Sequence, residues 1–104
     1  IDVLNAQGEI YKLIGKWKEA EQNFIDSVRL SQKSYDQKRL IISRNNLGLL
    51  KSAKGLYEDS LRFFRQNLEL SKAVEYKIGE IKALKNIGVV HTNRDEYRQA
   101  VEFL

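Results

Sequence analysis

Residues 45–64 read NNLGLLKSAKGLYEDSLRFF, and this stretch decides the fold because its pattern of small and aromatic residues recurs forty positions before and after it. Five registers repeat through three copies: Gly8, Gly48 and Gly88; Trp17, Tyr57 and Tyr97; Ala20, Ser60 and Ala100; Phe24, Phe64 and Leu104; and Ile1, Ile41 and Ile81. A fixed repeat of this length is typical of stacked helical repeats, in which each copy buries its apolar face against the next.

Within the first copy, the apolar residues follow the period of an α-helix in two successive segments. Val3, Ile10 and Ile14 share one face, and Trp17 and Phe24 share a face of the segment that follows. Each copy is therefore predicted to be a helix pair.

Glycines mark the turn inside each pair. Gly15 and Gly55 stand where the first helix must end, and glycine adopts the left-handed C-cap conformation without steric cost. Asp95 takes that place in the third copy, and aspartate tolerates this conformation better than most residues. The spacing predicts helices at about 1–14, 17–33, 37–54, 57–75, 79–92 and from 96 onward.

The second copy departs from the apolar pattern at two positions of its first helix. Arg44 and Lys51 occupy the places of Leu4 and Tyr11. Their stems can pack while their charges reach water, so we predict that this helix is less tightly packed than its counterparts.

The order of a glycine, an aromatic residue after a glycine turn, a small residue and a further aromatic four positions later resembles the tetratricopeptide repeat across the whole chain. The resemblance implies an all-α, right-handed α-solenoid of antiparallel helix pairs that serves as a protein-binding scaffold. The period of forty exceeds the usual repeat of about 34 residues, as in kinesin light chain, cell-polarity adaptors and bacterial sensor proteins of this family. We expect one array over residues 1–104, with repeats 1–40, 41–80 and a truncated 81–104, belonging to a longer protein.

Composition restricts the function classes. The 104 residues contain no Cys, which removes disulfides and thiolate chemistry, and no apolar run approaches a membrane span. The net charge of +4 comes from 18 basic and 14 acidic residues that alternate along the chain, a pattern that disfavours nucleic-acid binding. No signal peptide or glycosylation acceptor is present, so we expect a cytoplasmic protein.

No constellation of residues predicts catalysis, a metal site or a cofactor. His91 is the only histidine, and it shares the register of packed residues. The acidic pairs Glu58-Asp59 and Asp95-Glu96 begin predicted second helices, where the helix dipole favours carboxylates. We therefore expect a protein that is not an enzyme and that has neither catalytic nor metal-binding residues.

A free stripe on the first helices is the candidate binding site, because these helices line the concave side of such a solenoid. The helical period assigns to this groove Asn5, Glu9, Ile42, Asn45, Leu49, Lys82, Lys85 and Val89, with Asn46 and Asn86 flanking the stripe. The resemblance implies that Asn46 and Asn86 grip the backbone of an extended peptide, and Lys82 and Lys85 favour an acidic group in it. The alternative is a solvated polar face, or amides that only satisfy neighbouring groups of the protein.

A binding scaffold is the leading interpretation of the whole sequence. A sensory or regulatory module of a larger signalling protein is the second, and nucleic-acid binding is the third. We also predict self-association through apolar surface around Tyr97, Val101 and Leu104.

Overall fold

A computed structural model describes residues 2–102, and this part of the chain is helical throughout apart from short turns. The five helices are α1 (Val3–Leu13), α2 (Trp17–Lys33), α3 (Gln37–Ala53), α4 (Tyr57–Ala73) and α5 (Lys77–Glu102). Each helix packs against the next, and α3 also contacts α1 and α5. The inner row of the stack is therefore α1, α3 and α5, while α2 and α4 form the outer row. The predicted all-α stack of helix pairs is confirmed.

The predicted glycine turns have the expected conformation. Gly15 has a φ of +82° and Gly55 a φ of +78°. The amide of Lys16 donates to the carbonyl of Tyr11 at 2.8 Å, which closes a Schellman motif around Gly15. The first helix of each of these two pairs therefore ends where the glycine register predicts.

The second helices end in the same way without glycine. Tyr35 and Glu75 both have a φ of 56°, in the left-handed region. The amide of Asp36 then donates to the carbonyl of Ser31 at 2.9 Å, again closing a Schellman motif. These two residues share one register of the repeat, but no glycine signals the turn.

Two apolar clusters form the core, one between α2 and α3 and one between α4 and α5. The first contains Ala20, Phe24, Leu47 and Leu50, and the second contains Leu61, Phe64 and Val90. Both phenylalanine rings are almost fully buried, which stabilises the fold by about 1.5 to 3 kcal/mol each. The aromatic register of the repeat thus supplies the largest side chains of both clusters.

The predicted turn in the third copy is absent. Helix α5 continues through Asn93 and Asp95 to Glu102 as one helix of 26 residues. Asp95 has a Cβ and adopts helical backbone, so the chain keeps its intrahelical hydrogen bonds instead of reversing. Tyr97 and Val101 remain 62% and 49% exposed as a result.

Two other predictions concern the ends of the chain and the packing of α3. Ile1 and Leu104, which belong to two of the repeating registers, lie outside the described residues. The prediction of a loosely packed α3 is wrong, because α3 has seven buried residues and lies between α2 and α4. Lys51 supports this packing by forming an ion pair with Glu21 of α2.

Candidate functional site

The inner row of helices and α4 enclose a pocket of about 130 Å³. It is lined by Glu9, Ile41, Ile42, Asn45, Asn46, Asn67, Tyr76, Gly79, Lys82 and Ala83. The structure thus brings together five predicted groove residues, which are Glu9, Ile42, Asn45, Asn46 and Lys82. We refer to this pocket and the inner faces of α1, α3 and α5 around it as the inner groove.

The other five predicted residues do not line this pocket. Val89 and Lys85 are exposed on α5, and Asn86 is half-buried. Leu49 packs against the second core cluster, and Asn5 is buried between the helices.

Two of the predicted amides are buried and hydrogen-bonded to each other. Asn5 is 4% exposed and Asn46 is 7% exposed, and Asn46 Nδ2 donates to Asn5 Oδ1 at 3.1 Å. Asn5 Nδ2 in turn lies 3.1 Å from Ser27 Oγ and 3.0 Å from Ser43 Oγ. The alternative that the amides satisfy neighbouring groups of the protein therefore describes these two residues, because a network of polar groups from α1, α2 and α3 surrounds them inside the fold.

The same contact recurs one repeat further along the chain. Asn86 Nδ2 donates to Asn45 Oδ1 at 2.6 Å, in the registers of Asn46 and Asn5. This second pair is half-buried rather than buried, and Asn45 also lines the pocket. The amides of α1, α3 and α5 thus form two hydrogen-bonded pairs that link successive repeats.

Asn67 of α4 is a site residue that the sequence did not reveal. It is 2% exposed, its Nδ2 donates to the carbonyl of Ile41 at 2.8 Å, and its Oδ1 has no hydrogen-bond partner among residues 2–102. Asn67 lines the pocket, so this buried acceptor belongs to a residue in the wall of the inner groove. A buried acceptor without a donor costs about 1 to 3 kcal/mol.

The repeat explains why Asn67 has no donor. Asn67 takes the register of Ser27, and Ala83 takes the register of Ser43. In the first interface, Ser27 Oγ and Ser43 Oγ lie 2.7 Å apart in a hydrogen bond. The second interface has a methyl group where that hydroxyl would stand, so a comparison of these two registers is the sequence signal that could have identified Asn67.

Charged and apolar groups surround the pocket. Glu9 contributes a carboxylate from α1, and Lys82 contributes an ammonium group from α5. Ile42 of α3 is 44% exposed between them. The groove therefore offers charges of both signs and an apolar side chain to a ligand, and one of its lining residues has a buried acceptor without a donor.

The side chains that could bind a metal or take part in catalysis are either far apart or already in contact with other side chains. No three His, Cys, Asp or Glu side chains within residues 2–102 converge as metal ligands. His91 Nδ1 lies 2.9 Å from Arg94 Nη2, and Arg94 Nη1 donates to Glu58 Oε1 at 2.9 Å. None of the helices in this part of the chain is both long and apolar enough to cross a membrane.

The sequence matches the profile of the tetratricopeptide repeat over residues 1–73 and again over residues 39–104, so the two matches together cover the chain. The chain therefore belongs to the tetratricopeptide repeat family. Repeats of this family are non-catalytic modules that generally mediate protein–protein interactions. No curated protein and no solved structure matches the chain.

Proposed function

We propose that the inner groove binds an extended segment of a partner protein. The unpartnered Oδ1 of Asn67 carries this proposal, because it is a buried acceptor on a residue that lines the pocket together with five of the predicted groove residues. A peptide N–H or a side-chain amide would supply the missing donor. Binding would then recover the free energy that the isolated protein loses there.

The charges of the groove suggest the direction of the segment. Lys82 lines the pocket on the α5 side and Lys85 lies one turn further along the same helix. Glu9 stands on the α1 side. A segment with an acidic residue near α5 and a basic residue near α1 would complement both ends of the groove.

The choice of test variants follows from burial. Replacing Asn46 would leave Asn5 Oδ1 without its donor, and would cost about 1 to 3 kcal/mol of stability for that reason alone. Ile42 and Leu30 offer a better comparison, because they are 44% and 43% exposed and only Ile42 lines the pocket. Substitution by asparagine removes a similar amount of exposed apolar surface at the two sites.

The experiment recovers a partner by affinity capture, maps its bound segment, and titrates that segment as a synthetic peptide. We expect Ile42→Asn to weaken binding about tenfold and Lys82→Glu to weaken it further for peptides with an acidic residue. Leu30→Asn should leave the affinity unchanged. Equal effects of Ile42→Asn and Leu30→Asn, in folded variants, would exclude the inner groove as the binding site.

A further inference from the structure

Three arginine side chains line a second, shallow and open groove between α3 and α4. Its volume is about 650 Å³, and it is lined by Arg44, Arg62, Arg65, Gln66, Glu69 and Leu70. None of these residues lines the inner groove. Because successive residues of a helix are rotated by about 100°, Arg44 faces a different side of α3 from Ile42. We call this second site the arginine groove.

The positive charge of the arginine groove is poorly compensated within the protein. Arg44 is half-buried and forms no ion pair or hydrogen bond with the described residues, and loss of hydration lowers its pKa. Arg62 has one distant carboxylate, Asp59 at 3.8 Å. Glu69 lines the groove but forms no ion pair there within residues 2–102, so the lining contains three cations and one carboxylate, with Asp59 close to Arg62 alone.

The repeat shows that Arg44 is not required by the fold. Its register holds Leu4 in the first copy and Leu84 in the third. A half-buried charge without a partner disfavours the folded state, and the fold accepts an apolar residue at this position in both other copies. A position that departs from the local pattern without a compensating contact is characteristic of a functional site.

We propose that the arginine groove binds an acidic segment of a partner protein. Guanidinium groups form paired hydrogen bonds with carboxylates, and partial burial at Arg44 strengthens such contacts relative to fully solvated ones. Leu70 provides an apolar surface between the charges for the aliphatic part of a glutamate side chain.

The features of the groove favour a protein over a nucleic acid. Nucleic acids bind through long rows of cations, whereas this groove has only three arginines. Membership of a family that generally binds proteins agrees with this choice. The inference does not depend on the inner groove, since the two sites share no residue.

The test measures binding of a fluorescently labelled oligoglutamate peptide to the whole chain at fixed, low salt. We expect Arg44→Leu to weaken binding about tenfold while leaving the unfolding midpoint equal or higher, since leucine is the residue of the other two copies. Arg65→Leu should also weaken binding. Arg44→Lys keeps the charge but loses the paired hydrogen bonds, so its affinity should lie between those of Arg44→Leu and the unmodified protein.

Two controls separate specific binding from general attraction. Arg29→Leu removes the same charge from an exposed position on α2, outside the groove, and should change the affinity less than about twofold. Ile42→Asn alters only the inner groove and should have no effect, so failure of one site can be told from failure of the other. An equal loss for Arg29→Leu and Arg44→Leu, or no binding of the peptide, would overturn the proposal. Tighter binding of a labelled RNA oligonucleotide through Arg44 would replace the protein partner with a nucleic acid.

Discussion

The ring of Phe24 fills the space that a side chain at Gly8 would occupy, and the ring of Phe64 does the same at Gly48. A Cβ atom added to Gly48 would lie 2.5 Å from Cε1 of Phe64, closer than packed atoms approach. These contacts explain why the glycine and aromatic registers repeat together. Gly88 belongs to the same register, but no neighbouring atom of residues 2–102 lies within 4 Å of a Cβ added there.

The three glycines therefore respond differently to alanine. Gly8→Ala and Gly48→Ala should each lower the free energy of unfolding by about 1 to 3 kcal/mol, because the phenylalanine rings must shift. Gly88→Ala should raise it by about 0.5 to 1 kcal/mol, since alanine is the better helix former and meets open space. Denaturant unfolding of the 104-residue chain tests all three variants. The same change in stability at all three positions would show that contact with the phenylalanine rings does not explain why glycine occurs at positions 8 and 48.

The sequence predicts the helix pairs and most helix bounds because the residues that indicate them recur in more than one copy of the repeat. Gly48 and Phe64 each recur in register with the other copies, so chance is a poor explanation for their spacing. The prediction of a turn at Asp95 was wrong because it depended on a single residue. Aspartate permits either backbone conformation at modest cost, so the choice between turning and continuing rests on packing that the sequence pattern does not specify.

The site was predictable where it depended on helical period alone. Ile42, Asn45 and Lys82 follow from the free stripe of the first helices. Asn67 does not, because it reaches the inner groove from a second helix. The burial of Asn5 was also unpredictable, since an asparagine is buried only when several helices supply its partners at once.

Two residues in the turns that follow the second helices have a strained backbone conformation. Tyr35 and Glu75 have positive φ values where Gly15 and Gly55 end the first helices. A residue with a side chain loses about 1 to 2 kcal/mol of stability in this region. Replacing it by glycine removes that strain, but part of the gain in stability is lost because glycine has a larger conformational entropy in the unfolded chain. Tyr35→Gly and Glu75→Gly should therefore each raise stability by about 0.5 to 1 kcal/mol. Thermal unfolding is the measurement.

The opposite change, from glycine to a residue with a side chain, provides the control at another turn. Gly55→Ala should lower stability by about 1 kcal/mol, although nothing lies within 4 Å of the added Cβ, because the φ of +78° is strained for alanine. Stabilisation by Gly55→Ala would show that the turns tolerate side chains, and would remove the reason for the Tyr35 and Glu75 predictions.

Glu21 joins two helices through an ion pair that depends on pH. The hydrogen bond from Lys51 lowers the pKa of the Glu21 carboxyl from its ordinary value of 4.5, burial opposes that change, and Lys54 at 3.2 Å adds to the lowering. A carboxyl with a lowered pKa in the folded state stabilises the protein above its unfolded pKa, and this contribution is lost as the pH falls through the folded value. Glu21→Gln should cost roughly 0.5 to 1 kcal/mol at neutral pH.

The difference between Glu21→Gln and the unmodified protein should shrink as the pH falls from 4.5 through the lowered folded-state pKa of Glu21, and it should vanish below that pKa, where both side chains are neutral. Urea unfolding at neutral and acidic pH measures this difference. Glu69→Gln is the matched control, since Glu69 is exposed in the middle of α4 and should change stability little at either pH. A constant cost of Glu21→Gln at both pH values would attribute its effect to packing rather than charge.

The final prediction links stability to the inner groove through Asn67. Ala83→Ser places a hydroxyl in the register of Ser43, where it can donate to the unpartnered Oδ1 of Asn67. This hydrogen bond should contribute about 0.5 to 1.5 kcal/mol, against a loss of helix propensity of about 0.5 kcal/mol. Ala53→Ser, at an exposed position of α3, should show only the loss of stability from helix propensity.

Ala83→Ser should also weaken the binding of a partner peptide that donates to Asn67, so the expected result is a more stable protein with lower affinity. If Ala83→Ser destabilises as much as Ala53→Ser and leaves binding unchanged, Asn67 Oδ1 is satisfied by water and takes no part in recognition.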